Sequence, residues 1–553
     1  MTINKIRKLI LIQFFLISTI PLLAQSEKED TFVITYQKGK TETIAKPGGG
    51  FLLNVNKKKS TKYIAAGVVR YSQFGAIGDG KIDDIVAIAA THVYANEHNL
   101  RVEADAKASY YIGGKELIVN IQTSTDFKNA TFILDDTNVE NFKAAVFRVT
   151  SKLPAFSPEG ITSLVKNQQQ IPVSLGKPHL ITLTNDQIKR YKRRGLNENS
   201  GHDQTDIFAV DKDGVIDPKT PIIWDFDQIS EITAFPIDTV TLTLTGGKFL
   251  SIANQAESKY TYYARNIEIS RSNVIIDSLE HRITGEGDQG APYRGFISVS
   301  YCSNVLIKNT NLTGHKTYKT IGNAGKPVSM GSYDINLNHA INVTFENCHQ
   351  LNDIYTGKFW GIMGTNFCKN ITLDGCTFSR FDAHMGVTNA AILNSSIGYM
   401  GIRAIGHGTF TIENTTVKAK HFVFFRQDYG SSWEGEFIIK NCVFIPIRKE
   451  LTTTSLIHGA NDGQHDFGYT CSLPNSFVIE NMEIRDQDMN DSYEGPLLFS
   501  DFNPEKIDPS YLEKFPYQLP EKVMLKNVNA LSGKDLKISE NPFLFKDVKI
   551  IND

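Results

Sequence analysis

The chain is 553 residues long, 41% hydrophobic and 21% charged, with a formal net charge of −2. So balanced a charge names no oppositely charged partner, and no nucleic-acid partner is expected. The length alone would mean two or more domains, unless a repeat architecture lets one core keep growing.

At the N-terminus, Met1–Lys8 is short and basic, and Leu9–Ala24 is mostly apolar apart from Gln13 and Pro21. This pattern predicts a signal peptide over residues 1–24 and a secreted protein, periplasmic or extracellular. A retained anchor is the alternative. No later stretch is long and apolar enough to span a bilayer, so no membrane association is expected once the signal is gone. Residues 25–553 are expected to form a single domain.

Phe74-Gly-Ala-Ile-Gly78-Asp79-Gly80-Lys-Ile-Asp83-Asp84 leads straight into Ile85-Val-Ala-Ile-Ala-Ala90. Gly-Asp-Gly is a turn signal, and Asp83 and Asp84 are placed to cap an amphipathic helix. The stretch resembles the entry segment of the pectate-lyase-like β-helix superfamily, where a helix caps the coil. The resemblance implies an all-β, right-handed parallel β-helix with an N-terminal cap over about residues 60–100. It also makes Asp79, Asp83 and Asp84 structural. It implies no single activity, because lyases, glycoside hydrolases and phage tail-spikes share the segment.

Residues 100–150 read as the first rungs. The pattern is then lost over about 151–235, an irregular insertion that holds the basic run Lys189-Arg190-Tyr191-Lys192-Arg193-Arg194. Such a run reads as a solvated helix face, or else as a basic rim that attracts an anionic polymer.

From Val240 a short motif recurs: a β-rich run, then Asn, a small residue, and an apolar residue two positions on. The marker positions are Asn309, Asn347, Gly375, Asn394, Asn414, Asn441, Asn481 and Asn527, at spacings of 38, 28, 19, 20, 27, 40 and 46. A fixed motif with variable gaps excludes helical repeats and suits a coil of short strands with loops of unequal length. Alternation within each motif (Ile371 and Leu373 in, Thr372 and Asp374 out) agrees. Asn and Gly tolerate the left-handed backbone that a coil turn needs, and stacked Asn side chains can form a ladder. Cys348, Cys376 and Cys442 follow the marker, where other rungs carry Thr310, Ser395 and Thr415. That predicts an inward stack of small residues rather than disulfides, with Cys302, Cys368 and Cys471 unassigned.

Ionisable and aromatic residues crowd the inter-rung segments between 355 and 470. His384 lies nine residues past its marker and Arg403 nine past its own, on the two closest rungs, so equal offset predicts neighbours about 4.8 Å apart. Arg380 and Tyr399 share an offset of five and are expected to pair likewise. A His beside an Arg is biased towards a neutral base, and Arg reads carboxylates. The combination suits β-elimination on a uronic acid, in which a cation neutralises the carboxylate, a base removes C5–H and an acid protonates the leaving oxygen. Expected roles are His384 as base, Arg403 and Arg426 as carboxylate binders, and His407 or Tyr399 as acid. Trp360, Tyr429 and Trp433 are expected to stack on sugars, and Lys358, Arg380, Asp382, Asn389, Asp428 and His465 to help bind substrate.

Two rival functions remain. A glycoside hydrolase would need a carboxyl pair, for which Asp382, Asp428, Glu434, Asp462 and Asp466 are candidates. Gly406-His407-Gly408 is similar to the Gly-His-Gly of polygalacturonases, but the accompanying motifs of that family are missing. The other rival is a non-catalytic glycan-binding coil, against which the clustering of titratable groups argues. The 355–470 region looks like exported β-helix proteins of polysaccharide breakdown, the glycosaminoglycan lyases above all. The expected partner is therefore an anionic polysaccharide or oligosaccharide, and the expected state a monomer. No cofactor is expected to be required. Calcium serves many β-helix lyases, but the segments are richer in His and Arg than in clustered acids. The spacing of His458, His465 and Asp466 is not diagnostic of a metal site.

Overall fold

The computed structural model describes residues 41–46, 50–360 and 363–552; the expected signal segment lies outside them. The chain divides into two compact units, the first ending at Gly67. The first holds an antiparallel hairpin, Thr41–Lys46 with Gly50–Val55, and the helix Lys57–Ala66. Asn56 caps that helix by accepting from the Lys58 N–H, and Gly67 ends it at φ 66°. Among the described residues no helix is long and apolar enough to cross a membrane.

From Val68 onward the chain winds into a right-handed parallel β-helix. Its strands follow the motif register read from the sequence. Val305, Val343, Ile371, Ala390 and Phe410 are successive parallel partners, and Phe437, Phe477 and Val523 continue the stack. Within each rung every second side chain faces inward. Ile371 and Leu373 are fully buried while Thr372 and Asp374 are not. Each such apolar side chain contributes about 1.5–3 kcal/mol, and one row stacks on the next along the coil.

The marker residues all have positive φ, from Asn309 at 50° through Gly375 at 64° to Asn527 at 51°. Their amides form the expected ladder. Asn347 donates to Asn309 at 2.8 Å, Asn414 to Asn394 at 3.0 Å, Asn481 to Asn441 at 2.9 Å and Asn527 to Asn481 at 3.0 Å. A second ladder, missed in the sequence, runs Asn273, Asn304, Asn342, Asn370, Asn389, with links of 2.8–3.1 Å. All six cysteines are free and buried. The position after the marker selects a small donor as well as a small volume. Thr310, Cys348, Cys376, Ser395, Thr415 and Cys442 each donate to the carbonyl two residues back.

Helix Ile85–His98 follows the first two strands of the coil, Val68–Arg70 and Asp79–Asp83, and every residue from Ile85 to His92 is buried, so it packs on all sides rather than along one stripe. Asp84 does not cap it. Its carboxylate turns back to accept from the N–H groups of Ile77 and Gly78 at 2.7 and 3.0 Å, closing the Gly-rich loop. Asp83 accepts from the Ile85 N–H at 3.1 Å.

The stretch expected to be irregular contains a three-stranded antiparallel sheet. His179–Arg190 lies between His202–Val210 and Glu231–Pro236. It has its own core, with Ile181, Leu183, Phe208 and Phe226 at its centre. The basic run is thus the end of a strand and the loop after it, which corrects the helix-face reading.

Candidate functional site

Four consecutive rungs place Asp382, Arg403, Phe424 and His458 in register. Arg403 therefore sits beside Asp382, not His384, and Arg380 beside Gly401, not Tyr399. The equal-offset expectation fails because the Arg403 rung carries extra residues. Phe378 pairs with Ile397 but Arg380 pairs with Gly401, so two residues are added there, and Gly401 takes φ 69°.

This floor, the insertion and a hairpin line a partly open pocket of about 780 Å³ that includes Arg380, His384, Arg403, Arg426, Asp428 and Trp360. Arg193 and Arg194 enter it from the insertion, and Tyr260, Tyr262 and Tyr333 from loops of the coil. Sequence reasoning missed the three tyrosines, and had the two arginines only through the reading of their run as a basic rim. The basic run and the Tyr260-Thr-Tyr262-Tyr263 cluster were the available signals, but no repeat period ties either to the floor.

The charges are ordered. Fully buried Asp382 accepts from Arg380 and from Arg426, the latter at 3.0 and 3.1 Å. Arg426 also grips Asp428 at 2.7 Å, and Arg193 reaches Asp428 at 2.6 Å. Arg194 pairs with Asp462. Burial would raise Asp382 and Asp428, but the arginines outweigh it and hold both below the usual carboxylate range. Arg426 is thereby occupied on both sides.

Arg403 is different. Among the described residues no carboxylate pairs with it. Its Nε reaches only the Met400 carbonyl at 3.4 Å, and its guanidinium lies 4.7 Å over the Phe424 ring. Burial and the neighbouring Arg380 and Arg426 lower its pKa to about 10. Arg380 is 2% exposed, and its Nε and Nη1 have no hydrogen-bond partner among the described residues. Its guanidinium stands 5.1 Å over Trp360. Two desolvated cations, with donors that no described residue takes up, thus stand together at this pocket, a chemistry suited to an anion.

His384 stands beside them. Burial and Arg426 lower its pKa to about 3, so the ring is neutral near pH 7. Its Nδ1 is 3.0 Å from Asn366 Oδ1, an acceptor, which places the proton on Nδ1 and leaves the Nε2 lone pair available.

Several expected site residues fall elsewhere. Asn389 belongs to the second Asn ladder, at φ 60°, and accepts from the Thr409 N–H at 3.0 Å. Trp433 is fully buried in the coil, edge-on to Phe437, with its indole N–H bonded to the Gly408 carbonyl at 2.9 Å. Tyr429 is 1% exposed, sealed between Tyr191 and the guanidiniums of Arg193 and Arg426. Neither ring is open to a sugar; Trp360 does line the pocket. Tyr399 is exposed and lies against Gly357, outside the pocket. Lys358 is exposed beside Phe359, and His465 rests on Phe467 at the pocket margin. His407 lies in a second pocket of about 310 Å³ with Glu434, Lys166 and Trp224. Glu434 is held at about 2 by its hydrogen bond to His407 and by Lys166. His407 is therefore not the acid of the larger pocket. His458 stacks on His421 at 3.7 Å. Among the described residues no group of three or more His, Cys, Asp or Glu is arranged to hold a metal ion. The pocket's carboxylates are bound to arginines, a donor set that does not fit calcium.

No protein-family model matches the chain. A segment of 128 residues is 28% identical to a capsule KL64-specific depolymerase of Klebsiella phage P510, covering 21% of this chain and 12% of that protein. Two solved structures share the fold. The tailspike protein gp49 of Pseudomonas phage LKA1 is 12% identical, covers 87% of this chain and 84% of its own, and gives a TM-score of 0.52. The tailspike gp61 of Pseudomonas phage phi297 is also 12% identical, with coverages of 85% and 81% and a TM-score of 0.51. At that identity the likeness is one of fold.

Proposed function

We propose that this chain is an exported enzyme that cleaves a uronic-acid-containing polysaccharide by β-elimination, in the pocket between the coil and its insertion. The observation that carries the reading is the pair Arg380 and Arg403, with donors unused, beside a neutral His384. The partial similarity to a capsule depolymerase supports a polysaccharide as the ligand class.

In this mechanism the sugar carboxylate lies against Arg403 and Arg380. Neutralising it acidifies C5–H, because the carbanion formed there spreads its charge onto the carboxylate. His384 Nε2 accepts that proton. The electron pair forms the C4–C5 double bond, the bond from C4 to the glycosidic oxygen breaks, and that oxygen takes a proton from the pocket's tyrosine wall. Arg426 touches no substrate; it positions Asp382 and Asp428. Hydrolysis is less well served, because Asp382 and Asp428 are held ionised, leaving neither as the protonated acid a glycosidase needs.

The test is to incubate the purified protein with hyaluronan, chondroitin sulfate, alginate and polygalacturonate and follow the ultraviolet absorbance of an unsaturated uronide. A rise with at least one polymer is expected. New reducing ends without that absorbance would establish hydrolysis instead, and binding without any product would establish a glycan-binding coil.

A further inference from the structure

The insertion does more than lend two arginines to the pocket. The segment after strand His179–Arg190 is tied down at both ends. At one end the Lys192 N–H donates to the Phe467 carbonyl at 3.0 Å, and the Arg194 N–H to the Asp428 carbonyl at 2.9 Å. At the other it meets the tip of the hairpin formed by Tyr318–Ile321 and Pro327–Met330. There the Ala324 N–H donates to the Leu196 carbonyl at 3.1 Å and Asn323 Nδ2 to the Glu198 carbonyl at 3.0 Å. The fit is close: a Cβ on Gly322 would lie 2.6 Å from both Leu196 O and Asn197 Oδ1. Asn197 also reaches the Tyr260 hydroxyl at 3.4 Å.

Residues 192–199 thus form a bridge alongside the floor. It runs from the rungs of Asp428 and Phe467 to a hairpin that leaves the coil before Ile335. Gly195, Leu196 and Asn197 of the bridge and Pro327, Val328 and Ser329 of the hairpin line the same pocket as Arg380 and Arg403. The remaining boundary is set by Tyr333 and Trp360 at one end of the floor and Ala460–Asp462 at the other. An open groove along a coil would let a polymer lie through it. Here the bridge walls one long side of the floor, and the hairpin with Tyr333 and Trp360 and the segment Ala460–Asp462 stand at its two ends. The volume, about 780 Å³, is that of a pocket for a compact ligand rather than a channel for a long chain.

We infer that the site takes the end of a polysaccharide chain, or a short oligosaccharide, and releases small products from that end. The inference rests on the β-elimination reading and deepens it.

The experiment uses the full chain and whichever of the four polymers gives unsaturated product. Product size is read by chromatography and polymer mass by light scattering over the first few per cent of turnover. Chain-end action gives one short unsaturated product from the earliest time point, while the mean mass of the polymer barely falls. Mixed product sizes with an immediate severalfold fall in mean mass would overturn the inference and leave β-elimination standing. No unsaturated product from any polymer would overturn the reading beneath it, and this inference with it. A second arm opens the bridge with the double variant Asn323→Ala, Ala324→Pro, which removes both hairpin donors; its fold is checked by circular dichroism. Its products are expected to become longer and more varied. A folded variant that keeps the single short product would overturn the role given to the bridge.

Discussion

Arg403 and Arg426 lie in one pocket and carry the same charge, yet their removal should have opposite signatures. Arg426 neutralises Asp382, which is fully buried, and also binds Asp428. Arg426→Ala leaves buried Asp382 to Arg380 alone and Asp428 to Arg193 alone, and is expected to cost about 3 kcal/mol of stability, read by denaturant unfolding. Arg403 has no carboxylate to abandon and is pressed by two like charges, so Arg403→Ala is expected to leave the unfolding midpoint unchanged or slightly raised. Turnover should nonetheless fall about 10²–10³-fold, the usual loss on removing one preorganised donor from a developing anion. If Arg403→Ala destabilises as Arg426→Ala does, Arg403 is a structural cation and the anion pocket is wrong. His384 makes a separate claim. With its pKa lowered to about 3 by burial and Arg426, it stays a base throughout mildly acidic conditions. The profile of kcat/KM should therefore show no limb near pH 6.5 and remain level from about pH 5 to 7. An acid limb centred near 6.5 would mean that another group is the base. That Arg380, His384 and Arg403 line one pocket was legible because they fall in equivalent segments of adjacent rungs. Trp433 was misread because a large aromatic next to polar residues looks the same in sequence whether it points inward or outward.

At the level of the rung, the Asn ladders tie backbone conformation to side-chain bonding. Asn414 has φ 50° and donates to Asn394 at 3.0 Å. Asn414→Ala should lose both the conformational tolerance and the ladder bond, about 2 kcal/mol in all. Asn414→Gly keeps the first and should cost roughly half as much, about 1 kcal/mol. Equal losses for the two variants would show that the turn imposes no strain. Of the two ladders the first was legible because its Asn ends a conspicuous apolar motif. The second lies at the opposite bend, where Asn273 to Asn389 precede the same motif without a fixed flanking pattern. Register along the motif face was likewise readable, since alternation forbids a slip of one residue. It was lost past the bend, where the bulge before Gly401 shifts the count by two. An offset predicts neighbours only as far as the first bulge.

Across the whole molecule, contacts between residues far apart in sequence set what the coil alone does not. The bridge and the tyrosine wall belong to this class: no spacing rule joins Arg193 to Asp428 or Asn323 to Glu198. The same holds for a polar knot inside the coil. Ser251 Oγ is 3.0 Å from His281 Nε2, and His281 Nδ1 is 2.8 Å from Asp334, the hydrogen-bond order of a nucleophilic triad. Exposures of 3%, 1% and 0% leave no path for a substrate, so the knot is a clamp between rungs. Asp334 also accepts from the Thr313 N–H at 2.9 Å and faces His315 Nε2 at 3.3 Å, while Glu286 lies 3.5 Å from His315 Nδ1. Burial would lower His315, but the bonds to Asp334 and Glu286 outweigh it and raise its pKa to about 9. A raised histidine contributes its full stabilisation below its unfolded pKa of about 6.5 and loses it as pH rises through the folded value. Asp334, held low by His281 and His315 against its burial, contributes above about pH 4 and loses that as pH falls. The contribution of these two groups is therefore greatest between about pH 4 and 6.5. From there to pH 9.5 the protein should lose about 3 kcal/mol, seen as a falling Tm, because the proton on His315 is given up while its carboxylate partners stay charged. His315→Gln should lower stability at pH 6 and flatten the alkaline slope, since it bonds without titrating. Parallel slopes for the two proteins between pH 6.5 and 9.5 would show that the knot is held by something other than the charge on His315.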